Sequence, residues 1–223
     1  MMQSDMTAIL MRCAAGLSII SLAACNLPTV MPDSPAQAKS TPQFVSASQS
    51  VSPPQAMPNV QRAIEAQSQR IIRLLQARQF AALANEVHPI QGLRFSPSVY
   101  LNPQDLKFSA VQVAKLGQNQ TVYTWGNFDG SGEPIQLRFS DYYRRFLINR
   151  PFSPATQVTY NKHIQRGNSL NNIKAIYPDS ITVEYHQPAP DAQPMDWSSL
   201  ILVFVPSEGT YKLVALVHDQ WTI

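Results

Sequence analysis

Leu200-Ile201-Leu202-Val203-Phe204-Val205 and Tyr211-Lys212-Leu213-Val214-Ala215-Leu216-Val217 flank the pair Glu208-Gly209. Both runs are apolar at nearly every position. A strand with one wet face would alternate, so these read as two central strands covered on both sides and joined as a hairpin. Just upstream, Ile181 to His186 alternates as a further strand. Val158 to Asn161 reads as a short strand, and Asn168 to Ala175 as a capped turn or brief helix.

Further toward the N-terminus the period changes. Val60, Ile64, Ile71, Leu74 and Leu75 recur at helical spacing, and Phe80, Leu83, Ala84 and Val87 mark a second, short helix ended by Pro89. Leu93 and Phe95 alternate with Arg94 and Ser96 as a strand. Ser109 and Gln112 form a capping box, so Ala110 to Leu116 reads as a helix closed by Gly117. Thr121 to Trp125 and Ile135 to Phe139 read as paired strands, and Ser140 as the cap of a helix from Asp141 to about Ile148. Front helices, a back hairpin and a helix between strands make an α+β domain over residues 60–223. Its N-terminal helices are expected on a curved, mainly antiparallel sheet.

The N-terminal quarter differs in composition. Cys13 to Ala24 is an apolar run of 12 residues behind Arg12. A spanning helix needs about 20, so residues 1–24 read as a signal peptide. Leu22-Ala23-Ala24-Cys25 at its end resembles the lipobox of bacterial lipoproteins. That resemblance implies cleavage before Cys25 and lipid on its sulfur and amine. An ordinary secretory signal with a chance Cys is the other reading. Asn26, where Asp would resemble an inner-membrane retention signal, leans toward the outer membrane, facing the periplasm. Each buried methylene contributes about 0.8 kcal/mol, so two or three chains hold permanently where one does not.

From Asn26 to Asn59, seven of 34 residues are Pro and only Asp33 and Lys39 are charged. Residues 25–59 therefore read as an acylated Cys and a disordered tether, roughly 30 Å end to end as a flexible coil. The chain has two Cys. With Cys13 removed and Cys25 acylated, neither a disulfide nor a thiol nucleophile remains. The net charge of +3 is spread out, which disfavours nucleic acid as a partner.

Chemistry has few places to sit. His88, His163, His186 and His218 show no His-x-His or His-x-x-x-His spacing, so no metal or cofactor is expected. Glu184 and His186 share a strand face with Thr182, which suits either an oriented general base or a solvated face with an ordinary pair. His218 and Asp219 point to opposite faces, so they form no direct dyad. His218 then lines either the core or a pocket. Asn127-x-Asp129-x-Ser131-Gly132 matches half a calcium loop, but Arg138 stands where a bidentate Glu belongs, and a β-turn is the better reading. Trp125, Trp197 and Trp221 suit core positions better than stacking on a sugar or peptide.

Two broader resemblances bear on function. The order of elements resembles the nuclear-transport-factor-like cone, in which a curved sheet wraps a long N-terminal helix and often leaves a pocket. Such folds host isomerases and dehydratases that use acid–base chemistry. His88-Pro89, Arg94-Phe95-Ser96-Pro97, Tyr123-Thr124-Trp125-Gly126, Glu184-Tyr185-His186, Asp196-Trp197 and the ending His218-Asp219-Gln220-Trp221-Thr222-Ile223 resemble a group of bacterial lipoproteins and hypothetical proteins. That group carries no assigned activity and transfers no catalytic residue. Three functions follow in order of preference. The first is a non-catalytic envelope domain, held to the membrane through the Cys25 lipid, that binds a small ligand, wall fragment or protein. The second is a cofactor-free enzyme with His88, His186 or His218 as base, assisted by Glu184, Asp219 or Arg94. The third is a structural accessory of an envelope complex.

Overall fold

In the computed structural model, which describes residues 56–152 and 157–221, the apolar runs form two long strands at the middle of a sheet. The described residues belong to one compact unit, Ser50–Ile223. The expected signal peptide, the expected lipidation at Cys25, the expected tether as far as residue 55 and the final Thr222-Ile223 lie outside the described residues, and residues 56–59, expected in the tether, belong instead to the first helix.

The elements in chain order are α1 (Ala56–Gln76), α2 (Phe80–Leu83), β1 (Leu93–Ser96), β2 (Lys107–Phe108), α3 (Ala110–Lys115), β3 (Val122–Asn127), β4 (Pro134–Arg138), α4 (Phe139–Tyr142), β5 (Gln157–Tyr160), α5 (Ile173–Ile176), β6 (Ile181–Gln187), β7 (Ser198–Ser207) and β8 (Thr210–Gln220). The fold is α+β. Six strands form a mixed sheet in the order β2-β1-β8-β7-β6-β5, and β3-β4 form a separate antiparallel pair. All pairings in the large sheet are antiparallel except β1 with β8, which run parallel.

The β7–β8 turn follows its chemistry. Ser207 pairs with Thr210, and Glu208 and Gly209 between them have φ of 48° and 76°. Both central residues are left-handed, as a two-residue hairpin with the twist of its strands requires. A second left-handed position, Gly92 at φ 68°, lies against β2. A Cβ there would come within 2.6 Å of the Phe108 carbonyl oxygen.

Register divides the sheet into two faces, because opposed residues point the same way. One face carries Val183, Tyr185, Leu200, Leu202, Phe204, Leu216 and Phe95 in a cluster that also takes in Ile64, Ile71 and Leu75 of α1. Around Phe95 this core is aromatic. Trp125 stacks on Tyr142 with centroids 3.9 Å apart, and Phe108 and Phe139 meet Phe95 edge on. Polar anchors tie α1 in: Ser68 Oγ and the Tyr185 hydroxyl are 2.8 Å apart, and Gln67 Nε2 donates to the Tyr211 carbonyl. The other face carries a smaller apolar cluster of Ile201, Val203, Ala215 and Val217 with Val99, Leu101, Ile173 and Tyr177. Cover on both sides explains the unbroken apolar runs of β7 and β8.

Several local expectations need correction. The second helix is one α turn followed by a 3-10 turn, Ala84–Glu86, and Val87 instead bridges to Leu213. The Ser109–Gln112 capping box is present, but Ser140 caps nothing. Helix α4 begins one residue before it, at Phe139, and continues as a π-helical turn, Tyr143–Leu147. At its start the Tyr143 hydroxyl donates to the Leu75 carbonyl at 2.6 Å.

Candidate functional site

Three rows of side chains cross the second face. Thr182, Val203, Ala215 and Arg94 form one, Thr159, Glu184, Ile201, Val217 and Ser96 the next, and Gln157, His186, Ser199 and Asp219 the third. The shared face of Thr182, Glu184 and His186 is therefore as the strand period dictates. It is not solvated: Glu184 is 2% exposed and His186 5%. The irregular segment that follows β5 covers it, and this segment supplies His163 and Arg166.

Glu184 sits at the centre of the resulting cluster. Its Oε1 accepts from Arg166 Nη1 at 2.5 Å and from Ser199 Oγ at 2.9 Å, and its Oε2 lies 3.5 Å from His163 Nδ1. Ser199 directs its own proton at Glu184, so it accepts from His186 Nδ1, 3.0 Å away. Burial alone would raise the Glu184 carboxyl, but His163, Ser199 and Arg166 together hold it below its ordinary range. The same contact with Glu184 raises the His163 imidazole against the effect of burial. Burial pushes His186 down to about 4, so it is neutral, and pushes Asp219 up to about 6.

This arrangement is poorly suited to a base or nucleophile. Glu184 is a paired, stabilised anion and a weak base. His186 is neutral but gives its Nδ1 proton to Ser199. Ser199 has the position of a nucleophile beside a histidine, yet it is 0% exposed. A group that substrate cannot touch does not attack it.

The other candidates stand elsewhere. His88 lies at a bridge next to Leu213, and its Nδ1 accepts from the N–H groups of Ile90 and Gln91, so it shapes a tight turn. Leu213 is six residues along β8 from Asp219, about 20 Å away in an extended strand. His218 points to the aromatic face, fully buried, with Phe146 edge on at 5.5 Å and Gln220 at its Nε2. Burial lowers it to about 4. It lines the core, and the sheet separates it from Asp219. Arg94 forms a buried ion pair with Asp105 at 3.3 Å and donates to the Asn102 carbonyl, pinning the loop after β1. Two strands, β8 and β7, lie between it and Glu184, about 14 Å, so it is not placed to act with the Glu184 cluster. Asp129 to Gly132 form a turn closed by Phe128 N–H to Glu133 O. Trp125 and Trp197 are buried, and Trp221 is 37% exposed.

A cleft of about 430 Å³ opens beside the Glu184 cluster. Its walls combine Asn161, Lys162, His163, Gln165, Asn171 and Lys174 with the apolar Leu170, Ile173 and Ile201, and Thr182 and Glu184 stand behind them. A larger groove of about 540 Å³ between the helices is lined by Phe80, Ala81, Ala82, Gly117 and Tyr143, with Arg78 as its charged residue. It holds no acid–base pair. Among the described residues no group of three or more His, Cys, Asp or Glu is placed to hold a metal ion.

His163, Arg166 and Ser199 escape sequence reasoning. The first two lie in a stretch without period, and Ser199 opens an apolar strand. The one available signal is His163 and Arg166, three apart, following a strand whose neighbour carries Glu184. No family model matches the chain, and no curated protein or solved structure is significantly similar to it.

Proposed function

We propose that the chain is a lipid-anchored cell-envelope protein whose α+β domain binds a polar ligand non-covalently in the cleft beside Glu184. The Cys25 box and the Pro-rich stretch behind it support the anchor and tether. Helices on a curved sheet, with the ligand at its polar side, are the architecture this reading implies. The observation that carries it is the lining of the cleft. Carboxamides from Asn161, Gln165 and Asn171 and amines from Lys162 and Lys174 face a space large enough for a small ligand. The carboxylate behind them is already engaged by Arg166, Ser199 and His163. Gln165 Nε2 and Lys174 are engaged within the protein, so Lys162 and the Asn161 and Asn171 amides supply the donors, beside the apolar Leu170, Ile173 and Ile201. This suits a ligand with carboxylate and hydroxyl oxygens on a carbon frame, such as a wall fragment. The engaged Glu184 and the inaccessible Ser199 favour binding over acid–base catalysis.

The test is native mass spectrometry of the full chain with a muramidase digest of peptidoglycan. A saturable adduct that weakens in Lys162→Glu is the expected outcome. An absent adduct, or one indifferent to Lys162→Glu, contradicts the reading. The anchor is tested separately by Cys25→Ala, which is expected to leave the membrane fraction.

A further inference from the structure

Residues 161–172 form no helix or strand, yet both ends of this segment are fixed. Asn161, at φ 50°, donates its N–H to the Thr182 carbonyl at 2.8 Å and accepts from the Thr182 N–H through Oδ1 at 3.2 Å. Asn172 imitates a strand partner with its side chain. Its Oδ1 accepts from the Leu101 N–H at 2.7 Å, and its Nδ2 donates to the Leu101 carbonyl at 3.0 Å. Between these posts the polar bonds mostly stay within the segment: Gln165 Nε2 donates to the carbonyls of Gly167 and Ser169, and Arg166 Nη1 to that of Ile164. Two side chains reach the sheet. Arg166 bonds Glu184 and Gln157, and His163 faces Glu184.

His163 Nδ1 and Glu184 Oε2 are both sealed from solvent, and neither has a hydrogen bond within ordinary distance. They stand 3.5 Å apart. A proton on Nδ1 of a cationic imidazole satisfies both atoms with a charge-assisted bond. A neutral ring keeps a weaker bond only as the Nδ1–H tautomer, and with its proton on Nε2 it sets two lone pairs against each other in a buried place.

We propose that segment 161–172 is a proton-operated cover over the cleft, clasped firmly to β6 when His163 is protonated and more loosely when it is not, with Arg166 on Glu184 and Thr159 on the Lys162 carbonyl as ties that do not titrate. This rests on the cleft being the ligand site. The groups that bear on His163 come from each neighbouring element. The segment itself presents Lys162 and Arg166, α5 presents Lys174, β6 presents Glu184 and His186, and β8 presents Asp219. The neighbouring strands β5 and β7 present no charged group on this face, with Gln157 and Thr159 from one and Ser199, Ile201 and Val203 from the other.

The direction follows from these charges. Glu184 raises His163, so the folded chain keeps this proton where the unfolded chain has lost it. The clasp is at full strength below the ordinary histidine value and weakens as pH rises through the raised one. Glu184, held low, stays ionised throughout this window. Asp219 becomes an anion above about 6 and prolongs the hold on the proton. Mild acid closes the cover and mild alkali loosens it.

Hydrogen exchange of the full chain, read by mass spectrometry at about pH 6 and about pH 8.5 and corrected for intrinsic rates, tests this. Amides of 161–172 are expected to exchange about threefold more slowly at the lower pH, the size of a partly exposed ion pair, while β7 and β8 do not change. His163→Gln abolishes the difference. Asp219→Asn removes a negative charge and moves the transition to lower pH. Equal corrected rates in the unaltered chain overturn the proposal, as does a pH dependence that survives His163→Gln. Should that variant not fold, a transition unmoved by Asp219→Asn overturns it as well. No ligand takes part, so failure here leaves the binding reading intact, and failure to bind wall fragments leaves the cover intact.

Discussion

The two faces of one sheet solve opposite problems with the same three strands. On the aromatic face, Leu200, Leu202 and Leu216 meet Phe95 and the rings around Trp125, and close packing with a few neutral hydrogen bonds specifies the arrangement. On the other, Glu184, His186, Ser199 and Asp219 stand in two adjacent rows, and each must find a partner. An apolar face tolerates any close-packed cover. A buried carboxylate requires particular donors at particular distances. The second face therefore depends on an irregular segment, and the first does not.

Mutation separates the two. Trp125→Ala removes a fully buried ring and the Nε1 bond to the Leu137 carbonyl, and the expected loss is about 4 kcal/mol by urea unfolding. Glu184→Ala strands Ser199, His163 and Arg166. It is expected to cost about 3 kcal/mol, the low end for a broken buried pair, because Arg166 and His163 keep some access to water. A loss below about 1 kcal/mol for Glu184→Ala would reduce the second face to ordinary surface polarity.

The histidines sharpen the contrast through sign. His218, on the aromatic face, is lowered to about 4 by burial. The unfolded chain takes up this proton first, so stability falls as pH drops below the ordinary value of 6.5. His163, on the other face, is raised, so its contribution is full in acid and is lost toward alkali. His218→Gln is expected to relieve about 2 kcal/mol of acid destabilisation at about pH 5, seen as a flatter pH dependence of the urea midpoint. An unchanged slope would mean that His218 titrates normally and that the aromatic face admits water.

The same contrast explains what could be read in the chain beforehand. The runs at Leu200 and Tyr211 announce central strands because cover on both sides leaves no alternation. The Ser109 box announces a helix start because its bonds are local. The parallel pairing of β1 with β8 left no such mark, since it joins residues far apart in sequence. Ser140 misled because it is a good cap one residue inside the helix. The shared face of Glu184 and His186 was legible from period two, but its cover was not. His163 and Arg166 occupy a segment with neither period nor cap, where a basic residue normally faces water.

The central claim is that segment 161–172 completes the charged face through a protonated His163–Glu184 contact. A double-mutant cycle of His163→Gln and Glu184→Gln, measured by urea unfolding at about pH 6 and about pH 8.5, tests it most directly. The predicted coupling is about 1 kcal/mol at the lower pH and clearly smaller at the higher. Coupling that is absent at both, or equal at both, would contradict it.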